Sequence, residues 1–277
     1  MASTQSRLMS AIPRALMRSC KLCQGQLQLS KGLAMVKINS RMSEKRCDIL
    51  NDARVRESMH PLLMRLEQST ISISQMQDAF LEILRMHQSD SGFWDSRLKL
   101  CSDKKEDYIF WREDFGGKDI TVSLLYLEPG EVHPPHHHNN VISVQSVVSG
   151  QIWAREYQRI KCMDADNILI SPVQDRLLKK NDEIVAHEWL NNVHWFAATK
   201  DKPAVMWNCN VRGFETDLFL QPVPNSLGRI LLDPHVKVIN GSLLAQKLTV
   251  EEAYEKFGNK PITNWPIPDE VIWMDKV

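Results

Sequence analysis

From about residue 106 to residue 211 the chain is a succession of short apolar runs broken by turn residues, and no other feature constrains its fold as strongly. Residues 119–127 read as a strand, Glu128-Pro129-Gly130-Glu131 as the turn that ends it, and 141–148 and 151–157 as two strands joined at Ser149-Gly150. Residues 168–171, 176–179, 184–186, 194–199 and 204–211 supply further strands. Strands this short and this closely spaced predict a sandwich or a closed jelly-roll barrel.

Inside this region lies Gly130-Glu131-Val132-His133-Pro134-Pro135-His136-His137-His138-Asn139-Asn140-Val141-Ile142-Ser143, and Gly150 closes the run. Side chains alternate faces along a strand, so His136 and His138 share one side while His137 points to the other. Two neutral imidazoles on one face are the beginning of a metal site. A glycine, five residues, His-x-His and a second glycine twelve positions after His138 resemble the first motif of the cupin superfamily, jelly-roll barrels that hold a metal inside. Asn181-Asp182-Glu183 followed by Asn191-Asn192-Val193-His194-Trp195-Phe196 has the form of the second cupin motif, which makes His194 the third ligand that the resemblance implies. Most metal-binding cupins carry a glutamate seven positions before the closing glycine, and Ser143 stands there instead. The resemblance thus implies a mainly β fold, a cupin double-stranded β-helix (jelly-roll barrel) over residues 106–223, with His136, His138 and His194 as neutral metal ligands.

The flanks read differently. Residues 43–105 form a helical extension, with Met59, Leu62, Leu63 and Leu66 at helical spacing and Ile73, Met76, Phe80, Ile83 and Leu84 as a second stripe opened by the capping box Ser72-x-x-Gln75. After residue 223 strand signals thin out, and 224–277 reads as a C-terminal wrap with one short helix, 250–257, capped by Thr249-x-x-Glu252 and stopped by Gly258. Residues 1–42 contain seven Lys or Arg and no Asp or Glu, which has the character of an organelle transit segment and points to the mitochondrial matrix, otherwise to the cytoplasm.

Because the whole chain is formally neutral, the remainder carries about seven negative charges, and nothing electrostatic suggests nucleic-acid binding. A hydrophobic fraction of 43% and no apolar stretch near the roughly 20 residues of a membrane span predict a soluble protein. Cys20 and Cys23 form a lone C-x-x-C without a second pair, and the six cysteines show no framework spacing, as expected in a reducing interior.

Over about 100 residues, from Phe110 to about Val211, the chain also resembles the thiol dioxygenases of the cysteine dioxygenase type, cupins that hold iron with three histidines and no glutamate. Pro129-Gly130 before the histidines and Lys202-Pro203-Ala204-Val205 after His194 fit that family. Those enzymes carry a cysteine that can cross-link to a tyrosine where Ser143 stands, so that cross-link cannot form here. Arg112, after a small gap, falls near the family's arginine that clamps a substrate carboxylate, and the alternative is a rim arginine paired with Glu113 or Asp114. The family's later His and Tyr fall near Asn208 and Asn210, and the loss of both favours another thiol or small acid over cysteine itself.

Ser143 and Gln145 share the inward parity of the strand after the ligands, and with Asn208 they are candidate substrate contacts; the alternative is buried polar groups satisfied by backbone. His133 and His187, near the barrel mouth, are candidates for proton transfer or for a place beside the ligands, against a simple solvent-facing role. His137 faces away, and His60, His87 and His235 read as structural.

Three neutral ligands leave a divalent charge uncompensated, which suits an anionic substrate, thiolate or carboxylate, bound directly to the ion. Fe(II) is the first choice, and Zn, Mn, Ni or Cu would accept the same ligands. The expected function is a metal-dependent dioxygenase whose partners are a small-molecule substrate and O2. Two competitors remain: a lyase or isomerase in which the ion acts as Lewis acid and Tyr157 or His187 moves a proton, and a non-catalytic binding module.

Overall fold

The computed structural model describes residues 52–115, 117–139, 141–187, 190–213 and 229–274. The basic N-terminal segment with Cys20 and Cys23, the organelle-targeting expectation that rests on it, and Cys47 lie outside the described residues.

Three helices come first, α1 (Ala53–Glu67), α2 (Ile73–Gln88) and α3 (Ser91–Lys104). The carboxylate of Asp52 accepts from the N–H groups of Arg54 and Val55 at the start of α1, and Ser72 and Gln75 form the expected capping box on α2. The third helix has no counterpart in the apolar stripes of the sequence. Its buried Phe93, Trp94 and Cys101 flank Arg97, whose guanidinium lies 3.8 Å over the Phe93 ring and pairs with Asp52.

Eleven strands follow among the described residues: β1 (Tyr108–Phe115), β2 (Lys118–Leu127), β3 (Val132–His138), β4 (Val141–Ser149), β5 (Ile152–Cys162), β6 (Asn167–Leu178), β7 (Glu183–Ala186), β8 (Val193–Ala198), β9 (Ala204–Arg212), β10 (Arg229–Ile239) and β11 (Ser242–Lys247). They form a five-stranded sheet ordered β1-β2-β9-β4-β7 and a closed ring ordered β10-β11-β6-β5-β8-β3. The fold is mainly β, a jelly-roll barrel with the helical extension before it and the short helix α4 (Val250–Phe257) after it, as the sequence predicts. Among the described residues no helix is long and apolar enough to cross a membrane.

Alternation explains why the central strands read as almost unbroken apolar runs. On one face of the five-stranded sheet Ile120, Val122, Leu124, Val144, Trp207 and Cys209 pack with Met59, Met76, Phe80 and Leu84 of the helices. The intervening residues turn inward toward β3, β5 and β8. There Leu127, Val147, Ile152, Ala154, Phe196 and Met206 form a separate apolar cluster. Gly150, the closing glycine of the histidine motif, sits at φ 76° in the turn between β4 and β5, and a Cβ there would lie 2.3 Å from the Pro203 carbonyl oxygen.

The C-terminal wrap contains more strand than expected. β10 pairs with both β3 and β11, and β11 pairs with β6, so these two strands close the ring that also contains β3 and β8. Likewise the expected strands 168–171 and 176–179 fall on one strand, β6, which ends at Leu178 and whose pairing with β5 shifts register near Pro172. In both cases a proline made a bulged strand look like two elements or a turn, because proline cannot donate to the ladder.

Candidate metal centre

β3 lies between β8 and β10, and its register sets the site. His136 is the direct partner of His194 on β8, and Arg229 on β10 is the partner of His138. Directly opposed residues share a face, so His136, His138 and His194 enter the same interior space. Ring centroids lie 4.4 Å apart for His136 and His194, 5.0 Å for His136 and His138, and 5.5 Å for His138 and His194. One nitrogen from each ring falls within 4.8 Å of the others.

The environment keeps these rings neutral rather than cationic. Burial holds His136 and His138 well below the ordinary imidazole range and His194 down to about 3, and the Arg229 guanidinium pushes all three the same way. A neutral imidazole keeps the lone pair that a metal needs. The Nδ1 of His136 lies 2.7 Å from the Pro134 carbonyl oxygen, which can only accept, so Nδ1 carries the proton and Nε2 is left for an ion. The residues present fit a divalent metal.

The three histidines line a cavity of about 160 Å³ between the two sheets. The facing sheet contributes Thr121 and Ser123 from β2, Gln145 from β4, and Asn208, Asn210 and Arg212 from β9. Gln145 Nε2 donates to Asn208 Oδ1 at 3.0 Å, and Asn208 Nδ2 reaches Ser123 Oγ at 3.5 Å. Gln145 Oε1 is buried with no hydrogen-bond partner. Arg229 completes the positive side. Burial lowers the pKa of Arg212, Asp119 beside it opposes that shift, and the guanidiniums of Arg229 and Arg112 add to it.

The expected site residues separate into two groups. Gln145 and Asn208 line the cavity with the three ligands. His133 lines it too, although strand parity alone puts it on the other face from His136; the register shift between them, at Pro134-Pro135, restores it. Ser143 is not among the cavity residues; it is buried on β4 opposite Asn210, its Oγ without a partner and its carbonyl accepting from Gln77 Nε2 at 3.2 Å.

Others stand elsewhere. Arg112 is not among the cavity residues; it forks onto Asp119, Nε to Oδ1 at 3.2 Å and Nη2 to Oδ2 at 3.3 Å, with its side chain 54% exposed. Its ion-pair partner is therefore Asp119 rather than Glu113 or Asp114, because Asp119 lies diagonally across the β1–β2 ladder. Tyr157 is fully buried in the cluster with Val193 and Ile230 behind the ligand sheet, its hydroxyl 3.4 Å from His235 Nε2, and burial raises its pKa. Facing away from the cavity, it is not placed to move a proton there. His187, bridged to Leu190, and His137, buried on the reverse face of β3 with its pKa held down to about 3 by burial, lie outside the cavity lining.

Sequence reasoning missed Arg212, Arg229 and Glu156. The first was legible, since Asn208-x-Asn210-x-Arg212 continues one inward parity. Arg229 carried no comparable signal, because β10 itself was not foreseen. Glu156 has the inward parity of Ile152 and Ala154 and is the direct partner of His194.

The sequence matches no protein-family model and no curated protein. Among solved structures it is similar to KdgF from a Halomonas species, at 18% identity over 41% of this chain and 82% of that one, TM-score 0.28. An uncharacterized conserved protein with a double-stranded β-helix domain from Klebsiella pneumoniae is similar at 18% identity over 38% of this chain and 75% of that one, TM-score 0.27. An oxalate oxidase is similar at 15% identity over 35% of this chain and 42% of that one, TM-score 0.25.

Proposed function

We propose that this protein is a cupin-type, Fe(II)-dependent oxygenase that joins oxygen to a small thiol or carboxylate. The observation that supports this reading is one cavity that gathers three neutral imidazoles, two buried and one half-buried, and two arginines, with Asp107 as the single acidic lining residue among the described residues. His136, His138 and His194 would hold the ion. Bound there, ferrous iron would supply the redox chemistry and the open positions that oxygen and an anionic substrate need.

The chain's own residues define the rest. Arg212 and Arg229 draw an anion into the cavity, and a guanidinium fork matches a carboxylate better than any other side chain. The volume of about 160 Å³ is of the order that admits a benzene-sized molecule, so the substrate is small. Gln145 Oε1, buried and unpaired, is an acceptor for a substrate donor, while Asn208 is held by Gln145 and Ser123. Phe196, stacked on His194 at 4.9 Å, and Leu125 give the cavity its apolar side.

The test is oxygen uptake by the full chain, purified without oxygen and loaded with iron, against a panel of small thiols and carboxylates. Oxygen consumption tied to one of them supports the oxygenase. Turnover that proceeds without oxygen moves the protein to the lyase or isomerase class, and failure to take up any metal leaves a binding module.

A further inference from the structure

Glu156 is 0% exposed, and neither of its carboxylate oxygens has a hydrogen-bond partner. Leaving a carboxyl group in that condition costs several kcal/mol in an apolar interior, so an unpartnered one in a folded chain calls for a physical reason. Burial pushes its pKa up to about 8, against the opposing pull of Arg176.

Its position supplies the reason. Glu156 on β5 is the direct cross-strand partner of His194 on β8, which is in turn the partner of His136 on β3. The three side chains form one row on the inward face of the sheet. His194 has an unmet need of its own: its Nδ1 is buried and has no hydrogen-bond partner, in contrast to His136, whose Nδ1 is satisfied by the Pro134 carbonyl. An unpaired ring nitrogen and an unpaired carboxyl group thus sit on adjacent strands at the same register. Histidines that ligate metals nearly always donate their second N–H to a carboxylate or carbonyl, which fixes the ring and raises its basicity.

We infer that Glu156 is the positioning residue for His194: when a metal occupies the three histidines, a Glu156 oxygen accepts the Nδ1–H of His194 and holds its Nε2 toward the ion. This inference rests on the metal-centre reading above. The carboxylate absent at Ser143 is thereby replaced by one that acts through a ligand instead of touching the metal. The distance to close is that between neighbouring side chains on adjacent strands, about 5 Å between Cβ atoms, which a rotamer change in a long side chain spans.

Three proteins and one ion test this. Co2+ affinity of the full chain is measured by competition with a chelator, alongside the visible spectrum of the bound ion, for wild type, Glu156→Leu and Glu156→Gln. Glu156→Leu should weaken Co2+ binding by about 10–100-fold and alter the spectrum. Metal-free, it should melt at the same temperature or higher, because a buried unpaired carboxyl has been removed; a merely structural residue would lower it. Glu156→Gln keeps an acceptor oxygen and should recover part of the affinity.

Should the leucine variant not fold, proton spectra of the Zn2+-loaded wild type and Glu156→Gln decide: the His194 Nδ1–H resonance should lie far downfield in the former and move in the latter. Wild-type affinity and spectrum in Glu156→Leu, or an unmoved resonance in Glu156→Gln, overturns the assignment of Glu156 alone. Failure of the wild type to bind either ion overturns the metal centre itself.

Discussion

The interior between the two sheets has an apolar end and a polar end built by the same strands. Along β9 the inward positions run Ala204, Met206, Asn208, Asn210, Arg212, from apolar through amide to cation over five positions. At the Ala204 end Leu127, Val147, Ile152, Phe196 and Met206 interlock with no polar atom to satisfy, and each such side chain contributes roughly 1.5–3 kcal/mol by leaving water. At the other end Gln145 Oε1, His194 Nδ1 and the Glu156 carboxylate are buried without partners, each a cost to the metal-free fold. One end stabilises the barrel and the other holds unmet bonding capacity that a bound ion and substrate can satisfy.

The largest expected effect comes from taking away a ligand at the polar end. His138→Ala should abolish measurable metal binding, a loss beyond the ~100-fold of an indirect partner, while the metal-free protein keeps its unfolding midpoint. Full metal content in that variant, read by elemental analysis, would show the ligand assignment to be wrong. The converse change is Ile152→Ala at the apolar end. Ile152 is fully buried, so its truncation should cost about 2–5 kcal/mol in denaturant unfolding and leave the metal affinity of the folded protein nearly unchanged. A parallel fall in affinity would mean that the two ends behave as one unit.

Acid should act through the buried histidines, His194 at the polar end and His137 on the reverse face of β3. An unfolded imidazole takes up its proton near pH 6.5, whereas His194 and His137 in the fold do so only near 3. Between those values the unfolded chain binds protons that the folded one refuses, so stability falls as pH drops through the window, by about 1.4 kcal/mol per pH unit for each histidine. Glu156 has the opposite sign. Its folded pKa of about 8 stands above the ordinary 4.5, so its contribution is full below about 4.5 and is lost as pH rises toward 8. Metal-free unfolding between pH 4.5 and 6.5 should therefore show histidines outweighing one glutamate, and Glu156→Gln should steepen the slope. A flat profile would mean that these rings are not held neutral.

The polar end was also the harder half to read. The strand runs and both capping boxes follow from period, spacing and residue type, which are local properties, while the three candidate ligands come from the alternation of His-x-His together with the resemblance to two cupin motifs. Gln145 follows from parity once the histidines fix which face is inward, and Asn208 from the place that the family resemblance gives it. His133 did not follow, because parity fails across the bulge at Pro134-Pro135, and no residue type announces how many positions a bulge absorbs. Arg229 and the closure by β10 and β11 depend on pairing between strands about ninety residues apart in sequence, with Pro234 inside β10 disguising it as a turn.

The smallest effect concerns the two arginines that share Asp119, and it sharpens where the polar end begins. Asp119 is the cross-strand partner of Arg212, yet its carboxylate is forked by Arg112 from β1. Arg112 therefore competes for the acid that would otherwise pair with Arg212. Arg212→Gln should weaken an anionic ligand by roughly 10–100-fold, the worth of a charged hydrogen bond of about 1.5–3 kcal/mol.

Arg112→Ala breaks only a half-exposed pair, so its direct cost is below about 1 kcal/mol; what it adds is freedom for Asp119 to turn toward Arg212. Affinity for a small carboxylate should then fall a few-fold, on the order of 1 kcal/mol, and the loss should vanish when Asp119→Asn is combined with it. A loss from Arg112→Ala as large as that from Arg212→Gln, persisting in the double variant, would put Arg112 on the substrate and extend the polar end to β1.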